Sequence, residues 1–166
     1  QELFKKDCPP LTATQRHRII NASVSMPPKE LNRLLHALLE ETKDRDGQGD
    51  YKARIMIVGW VGDDMLLHRV IEELGGLVVM DNCCFGARAF GDPIGFDPDN
   101  PLPSLARSYL SRTSCPRMFA TFDERYGMLQ DAVTDYRVDG IVRTRLQFCD
   151  LHGVDNVHLH RRKGQM

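Results

Sequence analysis

The stretch that decides the fold is Arg54–Gly59 (RIMIVG) together with Leu77–Asp81 (LVVMD). Each is a short, continuous apolar run, which is typical of a strand covered on both faces. Between them, Asp63 or Asp64 can cap a helix, and Gly75-Gly76 can end it. A strand–helix–strand unit of this size predicts a crossover between parallel strands, and therefore an α/β fold.

The elements around this unit extend the same pattern. A third strand is expected at Ile141–Leu146, which contains Arg143 and Arg145. Because a strand covered on both faces should exclude charges, this strand is expected to be an edge or to line a polar interface. The helix between the first two strands is expected to turn five side chains inward. These are Leu66, Leu67, Val70, Ile71 and Leu74.

Upstream, residues 1–50 are predicted to form a helical lead-in and a polar loop, and residues 51–166 the α/β domain. A helix is expected from about Thr12, and a second at about 28–42, where proline precedes an apolar helical face. That face consists of Leu31, Leu34, Leu35, Leu38 and Leu39.

Downstream of the second strand, a long Pro- and Gly-rich excursion over residues 89–120 is expected to contain a short helix near Leu105–Leu110. Excursions of this length in a compact domain are often functional. Thr121 and Glu124 then predict a capping box at the start of a further helix.

The composition excludes several classes of function. At 166 residues the chain is long enough for a domain with a real core. A net charge of −1 gives no large electrostatic preference for nucleic acid or for an anionic membrane, so neither is expected as a partner. The longest apolar runs, such as Ile55–Val61, are far shorter than a bilayer span, and no signal peptide is visible. The expected location is the cytoplasm.

The cysteines point away from a disulfide framework. Five are present, at Cys8, Cys83, Cys84, Cys115 and Cys149. An odd number with one adjacent pair suits a secreted disulfide protein badly. No CxxC pair occurs either, so the commonest zinc signature is missing.

Each predicted strand ends in an unusual segment: Gly59–Asp64, Asp81–Arg88 and Gln147–Gly153. In a doubly wound sheet, ligands bind beyond the carboxyl ends of the strands, so a site is expected where the three segments meet. The first segment lacks both the dinucleotide fingerprint and the P-loop Lys-Ser/Thr, and a structural turn is its better interpretation. Trp60 in this segment could pack on a ligand or simply anchor the loop.

Cys149 is the candidate metal or cluster ligand of the third segment. A thiolate at a strand end, just before a helix that begins near Val154, is favoured by backbone N–H groups and by the helix dipole. The alternative is a buried, inert cysteine. A zinc site that adds His152, His158 and His160 is a further alternative, although no second cysteine stands at regular spacing.

The second segment offers Cys84 and Arg88, with Gly86 permitting close backbone approach. Arg88 could hold a phosphate or a carboxylate, or it could form an ion pair with Asp81 or another acid. Cys83 and Cys84 point to opposite faces if the strand persists, so at most one of them enters the site and the other belongs to the core.

In this order and setting, the segments resemble the 2-hydroxyacyl-CoA dehydratase and benzoyl-CoA reductase subunit family. Its DxxCxGxR element appears as Asp81, Cys84, Gly86 and Arg88. Its FCDxxG element appears at residues 148–153, and the similarity is expected to run from about Pro27 to about Arg161. The resemblance implies a flavodoxin-like three-layer sandwich with a mainly parallel sheet, here incomplete at both ends.

The resemblance also implies a function. Family subunits pass low-potential electrons to an acyl-CoA thioester, for 2-hydroxyacyl-CoA dehydration or for benzoyl-CoA-type ring reduction. Cys149 would be this domain's ligand to a [4Fe–4S] cluster, and no catalytic residue is assigned. The residues that would support the site are Asp81, Cys84, Gly86, Arg88 and Asp150. The implied partners are a homologous second subunit and an ATP-dependent iron–sulfur activator.

The chain also departs from the family pattern. The two cysteine ligands of the family's first domain have no counterpart here, and Cys8 stands in a different context. One cysteine cannot retain a cluster, so this chain alone is expected to be an inactive fragment, and its parent a dehydratase (a lyase) or a reductase. The alternative function is a non-catalytic flavodoxin-like module that binds a protein partner or a phosphate-bearing ligand.

Overall fold

The structure, a computed structural model, describes part of the chain in detail. The described residues are 1–59, 61–62, 65–90, 95–112, 115–162 and 164. Trp60, Asp63 and Asp64, to which the sequence assigned a loop anchor and a helix cap, lie outside them.

Three parallel strands form the sheet of the described part: β1 (Ala53–Val58), β2 (Gly76–Asn82) and β3 (Gly140–Arg143). Their order is β2-β1-β3, and both neighbouring pairs are parallel. The predicted α/β class and the parallel sheet are confirmed, and the arrangement is consistent with a flavodoxin-like sandwich.

Helices connect and follow the strands. In the described residues they are α1 (Ala13–Ser23), α2 (Pro28–Glu41), α3 (Leu66–Glu73), α4 (Pro101–Leu110), α5 (Phe122–Asp135) and α6 (Asp150–Arg161). Two short 3-10 helices cover Glu2–Lys5 and Phe119–Thr121. None of the described helices is long and apolar enough to span a bilayer.

Local sequence explains two helix starts differently. The hydroxyl of Thr12 accepts a hydrogen bond from the backbone N–H of Gln15 at 3.1 Å, and the Gln15 side chain accepts one from the Thr12 N–H at 2.9 Å, which completes a capping box for α1. The capping box expected at Thr121 is wrong. Its hydroxyl instead donates to the carbonyl of Met118 at 2.7 Å, within the 3-10 turn that leads into α5.

Helices cover both faces of the sheet. Met56 of β1 packs in one cluster with Tyr126 of α5, whereas its neighbour Ile57 packs in a second cluster with Ala13 of α1. Successive strand side chains point to opposite faces, so the two clusters lie on opposite sides of the sheet. Phe4 and Leu11 belong to the first cluster, so the N-terminal segment contributes to the core. A domain boundary near residue 50 stays a prediction.

The inward face expected for α3 is partly wrong. Leu66, Val70 and Leu74 are exposed by 59%, 41% and 71%. Only Leu67 and Ile71 of the five expected side chains pack against the core, and His68 takes the buried position beside them. The helix is therefore rotated so that the side of Leu67, His68 and Ile71 faces α1 and the sheet.

The arginines near β3 have a structural explanation. The strand is shorter than expected and ends at Arg143, which is exposed on the edge of the described sheet. The Arg143 guanidinium donates to the carbonyl of Asn156 in α6 at 2.6 Å. Arg145 lies beyond the strand and is also exposed. Of the two alternatives, the structure supports an edge strand within the part of the sheet that it describes.

The contact between α1 and α3 contains two buried histidines. The rings of His17 and His68 lie 4.7 Å apart between centroids, and none of their four ring nitrogens has a hydrogen-bond partner within the described part of the chain. Burial lowers the pKa of His68 to about 4; His17 and Arg16 act in the same direction, and Asp81 and Glu72 oppose it. His68 is therefore neutral in the folded protein near neutral pH.

This burial predicts acid sensitivity. Between pH 6.5 and 4 the unfolded chain binds a proton at His68 that the folded chain does not, so stability falls as the pH falls. We expect the wild type to lose about 2 kcal/mol more than His68→Phe between about pH 7.5 and about pH 5, measured by urea unfolding. His36→Phe, which replaces an exposed histidine of α2, should keep the wild-type pH dependence. Equal slopes for wild type and His68→Phe would contradict the assignment.

Candidate functional site

The three strand ends meet at one edge of the sheet. Gly59 follows β1, and its N–H donates to the carbonyl of Asn82 at the end of β2, at 3.3 Å. On its other side, a Cβ at Gly59 would overlap the hydroxyl of Thr144 and lie 2.5 Å from the Thr144 carbonyl oxygen, just after β3. Only glycine therefore fits between the two neighbouring strand ends.

Asp81 is the best-anchored residue of this edge. It is 1% exposed, and its carboxylate forms an ion pair with the guanidinium of Arg16 from α1. Its second carboxylate oxygen accepts a hydrogen bond from the backbone N–H of Ala87 at 3.0 Å. The Arg16 guanidinium also donates to the carbonyl of Val79 at 2.9 Å. One carboxylate thus joins α1 to β2 and to the loop that follows it.

Gly86 allows that loop to fold back onto the strand. A Cβ at this position would overlap one carboxylate oxygen of Asp81 and lie 2.7 Å from the Asp81 Cγ atom. The glycine of the predicted DxxCxGxR element therefore lets the Ala87 N–H reach the carboxylate. Asp81 and Gly86, which the sequence singled out as site-supporting, together hold this loop against the end of β2.

The adjacent cysteines have different surroundings. Cys83 is 3% exposed and belongs to the second core cluster, and burial raises the pKa of its thiol to about 12. Cys84 is exposed, and its sulfur lies 3.5 Å from the guanidinium of Arg88. Of the two, Cys83 is the core residue and Cys84 is the one available at the surface.

Arg88 ties the first and second strand ends together. Its guanidinium donates to the carbonyl of Gly59, and it approaches Cys84. The acid expected as its possible partner, Asp81, pairs with Arg16 instead. A guanidinium engaged with a backbone carbonyl has fewer donors left for a phosphate, so this contact favours a role in shaping the edge.

Cys149 stands at the beginning of α6. It is the N-cap residue, half-buried, and its carbonyl accepts from the N–H of Gly153 at 2.9 Å. The preceding Phe148 has a φ of 65° and is 88% exposed, an uncommon combination for a bulky residue, of the kind that occurs at functional positions. The helix begins at Asp150, earlier than the Val154 expected from sequence, so the thiol is closer to the helix N-terminus than predicted.

The surroundings of α6 connect it to the other strand ends. Burial and the nearby positive charge of Arg88 are the two largest causes that lower the pKa of His152. The Arg145 guanidinium lies beside Gly153, with one nitrogen 3.1 Å from the position that a Cβ would take. Asp150, one of the predicted supporting residues, is exposed in the first turn of the helix. The third segment therefore lies at the same edge as the second.

The zinc alternative finds no support. In the residues that the structure describes, no group of three His, Cys, Asp or Glu side chains could hold a metal ion. His158 lies against Phe122, with ring centroids 5.1 Å apart, and His160 is exposed. His158 and His160 therefore do not gather around Cys149.

Arg16 is the contributor that sequence reasoning missed. It lies on α1 between the buried Ala13 and His17, where a charged residue breaks the apolar pattern. An arginine at such a position is expected to be buried and to form an ion pair with an acidic side chain. The local sequence does not identify that acid as Asp81, which is 65 positions away.

Comparison with known proteins finds one matching family and two relatives for this chain. The family model for the 2-hydroxyglutaryl-CoA dehydratase D-component matches residues 1–163, a match that begins upstream of the Pro27 expected from the motifs. The chain is 34% identical to the putative dehydratase subunit YjiM of Escherichia coli (strain K12) over 115 residues, which are 68% of this chain and 29% of that protein. It is 21% identical to the (R)-phenyllactyl-CoA dehydratase beta subunit of Clostridium sporogenes over 140 residues, which are 84% of this chain and 37% of that protein.

The chain thus spans about a third of the length of these two relatives. The resemblance drawn from the DxxCxGxR and FCDxxG elements is confirmed by the family match. This protein belongs to the 2-hydroxyglutaryl-CoA dehydratase D-component family.

Proposed function

We propose that this chain supplies one thiolate ligand, Cys149, to a [4Fe–4S] cluster in a subunit that delivers low-potential electrons to an acyl-CoA thioester. The reaction served would be 2-hydroxyacyl-CoA dehydration or a benzoyl-CoA-type ring reduction. The observation that carries the proposal is the position of Cys149, at the N-cap of α6 and at the edge where the strand ends meet.

The residues present fit one ligand position of such a cluster. A cysteine binds a cluster as its thiolate, and N–H groups at a helix N-terminus favour that charge. Cys149 is half-buried at such an N-terminus, whereas Cys83 is a buried thiol whose pKa burial raises to about 12. Because the described residues contain no group of three metal-binding side chains, the other ligands would come from elsewhere in the assembly. When bound, the cluster would supply electrons at low potential.

The remaining predicted site residues would position this ligand. Asp81 and Gly86 fix the loop after β2, and Arg88 ties that loop to the end of β1 and lies near His152 of α6. Cys84 would contribute through its contact with Arg88 rather than as a ligand. Asp150, exposed beside Cys149, would carry its charge at the favourable end of the helix dipole.

The proposed partners are a homologous second subunit and an ATP-dependent iron–sulfur activator, with the assembly in the cytoplasm. The name of the family, a D-component, and that of the relative from Clostridium sporogenes, a beta subunit, support a multi-subunit assembly.

Cys149→Ala tests the ligand role. In the anaerobically purified full-length gene product we expect this variant to lose the cluster, seen as loss of bound iron and of visible absorbance, because a cubane that loses a thiolate ligand is poorly retained. Cys8→Ala removes an exposed thiol and should leave the iron content unchanged. Cys84→Ala should also retain iron if that residue only supports the site.

Two results would overturn the proposal. A wild-type protein that carries no iron after anaerobic purification would remove the cluster altogether. Iron content that survives Cys149→Ala at the wild-type level would leave the cluster in place but exclude this residue as its ligand.

A further inference from the structure

An apolar cavity of about 420 Å³ lies between α1, α2 and the N-terminal 3-10 turn, a size within the usual range of small-molecule sites. One wall is the leucine-rich face of α2. Leu31, Leu35, Leu38 and Leu39 all line it, and no residue of α2 is fully buried. The opposite wall includes Ile19 and Ile20 of α1. The apolar face of this amphipathic helix therefore borders the cavity, and Leu38 also packs against the first core cluster.

The cavity reaches the edge of the sheet where the strand ends meet. Asp81 at the end of β2 lines it, and so do Ala87 and Phe90 of the loop that follows. The same loop carries Gly86 and Arg88, whose contacts bring the strand ends together. A ligand that fills the cavity therefore has one end beside the loop that, in the proposed function, would help to position Cys149.

The charges of the cavity select against an ionised ligand. Among the described side chains that line it, Arg16 and Asp81 are the charged ones, and they pair with each other. Arg16 also lies over the ring of Phe4, 4.7 Å from its centroid. A terminal carboxylate on a ligand would have to leave water for a largely apolar surface on which the charge of Arg16 is already neutralised by Asp81, which is unfavourable.

We propose that this cavity binds the apolar acyl group of a CoA thioester, an aryl or branched alkyl side chain, and discriminates against acyl groups with a terminal carboxylate. The inference rests on the proposed function, which supplies the thioester. It deepens that function, because the family model is named for a glutaryl substrate and one relative for a phenyllactyl substrate. The cavity lining favours the second kind.

Binding of unreactive analogues tests this inference without turnover. Dissociation constants of 3-phenylpropanoyl-CoA, 4-methylpentanoyl-CoA, glutaryl-CoA and acetyl-CoA would be measured by calorimetry on the full-length holoprotein. We expect the two apolar esters to bind at least about tenfold more tightly than acetyl-CoA and glutaryl-CoA, since burial of a ring or branched chain is worth that factor or more.

Leu35→Trp should fill the cavity and abolish this preference, leaving all four esters at the affinity of acetyl-CoA. Leu34→Trp is the matched control, because Leu34 lies on the same helix, is 41% exposed and does not line the cavity. Ile20→Phe narrows the cavity from α1 and provides a second variant if Leu35→Trp fails to fold. Iron content and melting temperature of each variant would establish that it is intact.

The outcomes separate the two proposals. If the four esters bind wild type equally, or if intact Leu35→Trp and Ile20→Phe variants retain the preference, the cavity is not the acyl site. A cavity that is filled by another part of the full-length protein would also leave the four esters with equal affinity. If no CoA ester binds the iron-loaded wild type, the proposed function itself fails.

Discussion

Asp81→Ala is expected to lower the free energy of unfolding by about 3 to 5 kcal/mol, because it leaves a charged guanidinium in the interior without its acid. The side chains of Arg16 and Asp81 are only 9% and 2% exposed. The substitution also removes the acceptor of the Ala87 N–H, so the loop after β2 loses its attachment to the strand. Urea unfolding of the full-length protein measures the loss.

Asp123→Ala is the control for this prediction. Asp123 pairs with Arg162 at 2.7 Å, but its side chain is 82% exposed, so water replaces the lost partner. We expect a change of less than about 1 kcal/mol, as for most surface ion pairs. If Asp81→Ala costs no more than Asp123→Ala, the buried pair is not a significant source of stability.

Periodicity predicted the fold because it reports burial averaged over whole elements. The apolar runs at 54–59 and 77–81 correspond to β1 and β2, and the proline-led leucine pattern corresponds to α2, Pro28–Glu41. These patterns depend on backbone geometry that is repeated along each element. The parallel sheet followed from the crossover between the strands rather than from any single residue.

Periodicity failed to predict the orientation of α3 on the sheet. The apolar residues of this short helix lie on one side of it, and sequence alone gave no reason to bury His68 next to that side while exposing Leu66 and Leu74. Packing against α1 decides that choice, through the contact between His17 and His68. Such a contact joins residues distant in sequence, so a local pattern cannot contain it.

In the candidate site, too, the sequence predicted which segments come together but not which side chains pair. The rule that ligands bind beyond strand ends correctly brought the segments around Gly59, Asp81 and Arg88 to one edge. The partners within that edge were not predictable, since Asp81 binds Arg16 and Arg88 binds a backbone carbonyl. Side chains of similar chemistry compete for each acid, and only the three-dimensional arrangement selects among them. The role of Cys149 stays a prediction.

Gly86→Ala is expected to destabilise the protein by about 3 kcal/mol, because its Cβ would occupy the space of the Asp81 carboxylate. The carboxylate would have to move, which breaks the ion pair with Arg16 and the hydrogen bond from Ala87. Gly127→Ala is the matched control. No atom lies within 4 Å of a Cβ at this position inside α5, so the substitution should be neutral or stabilise by up to about 1 kcal/mol.

The cause assigned to Gly86 makes a stricter prediction in the double variant. In Asp81→Ala the carboxylate that Gly86→Ala would displace is already absent, and the nearest remaining atom to the new Cβ is the Cys83 carbonyl oxygen at 3.3 Å. The second substitution should then cost less than about 1 kcal/mol, so the two losses fall short of additivity by about 2 kcal/mol in a double-mutant cycle. Additive losses would mean that Gly86 is required for the backbone path of the loop itself, and that its contact with Asp81 is incidental.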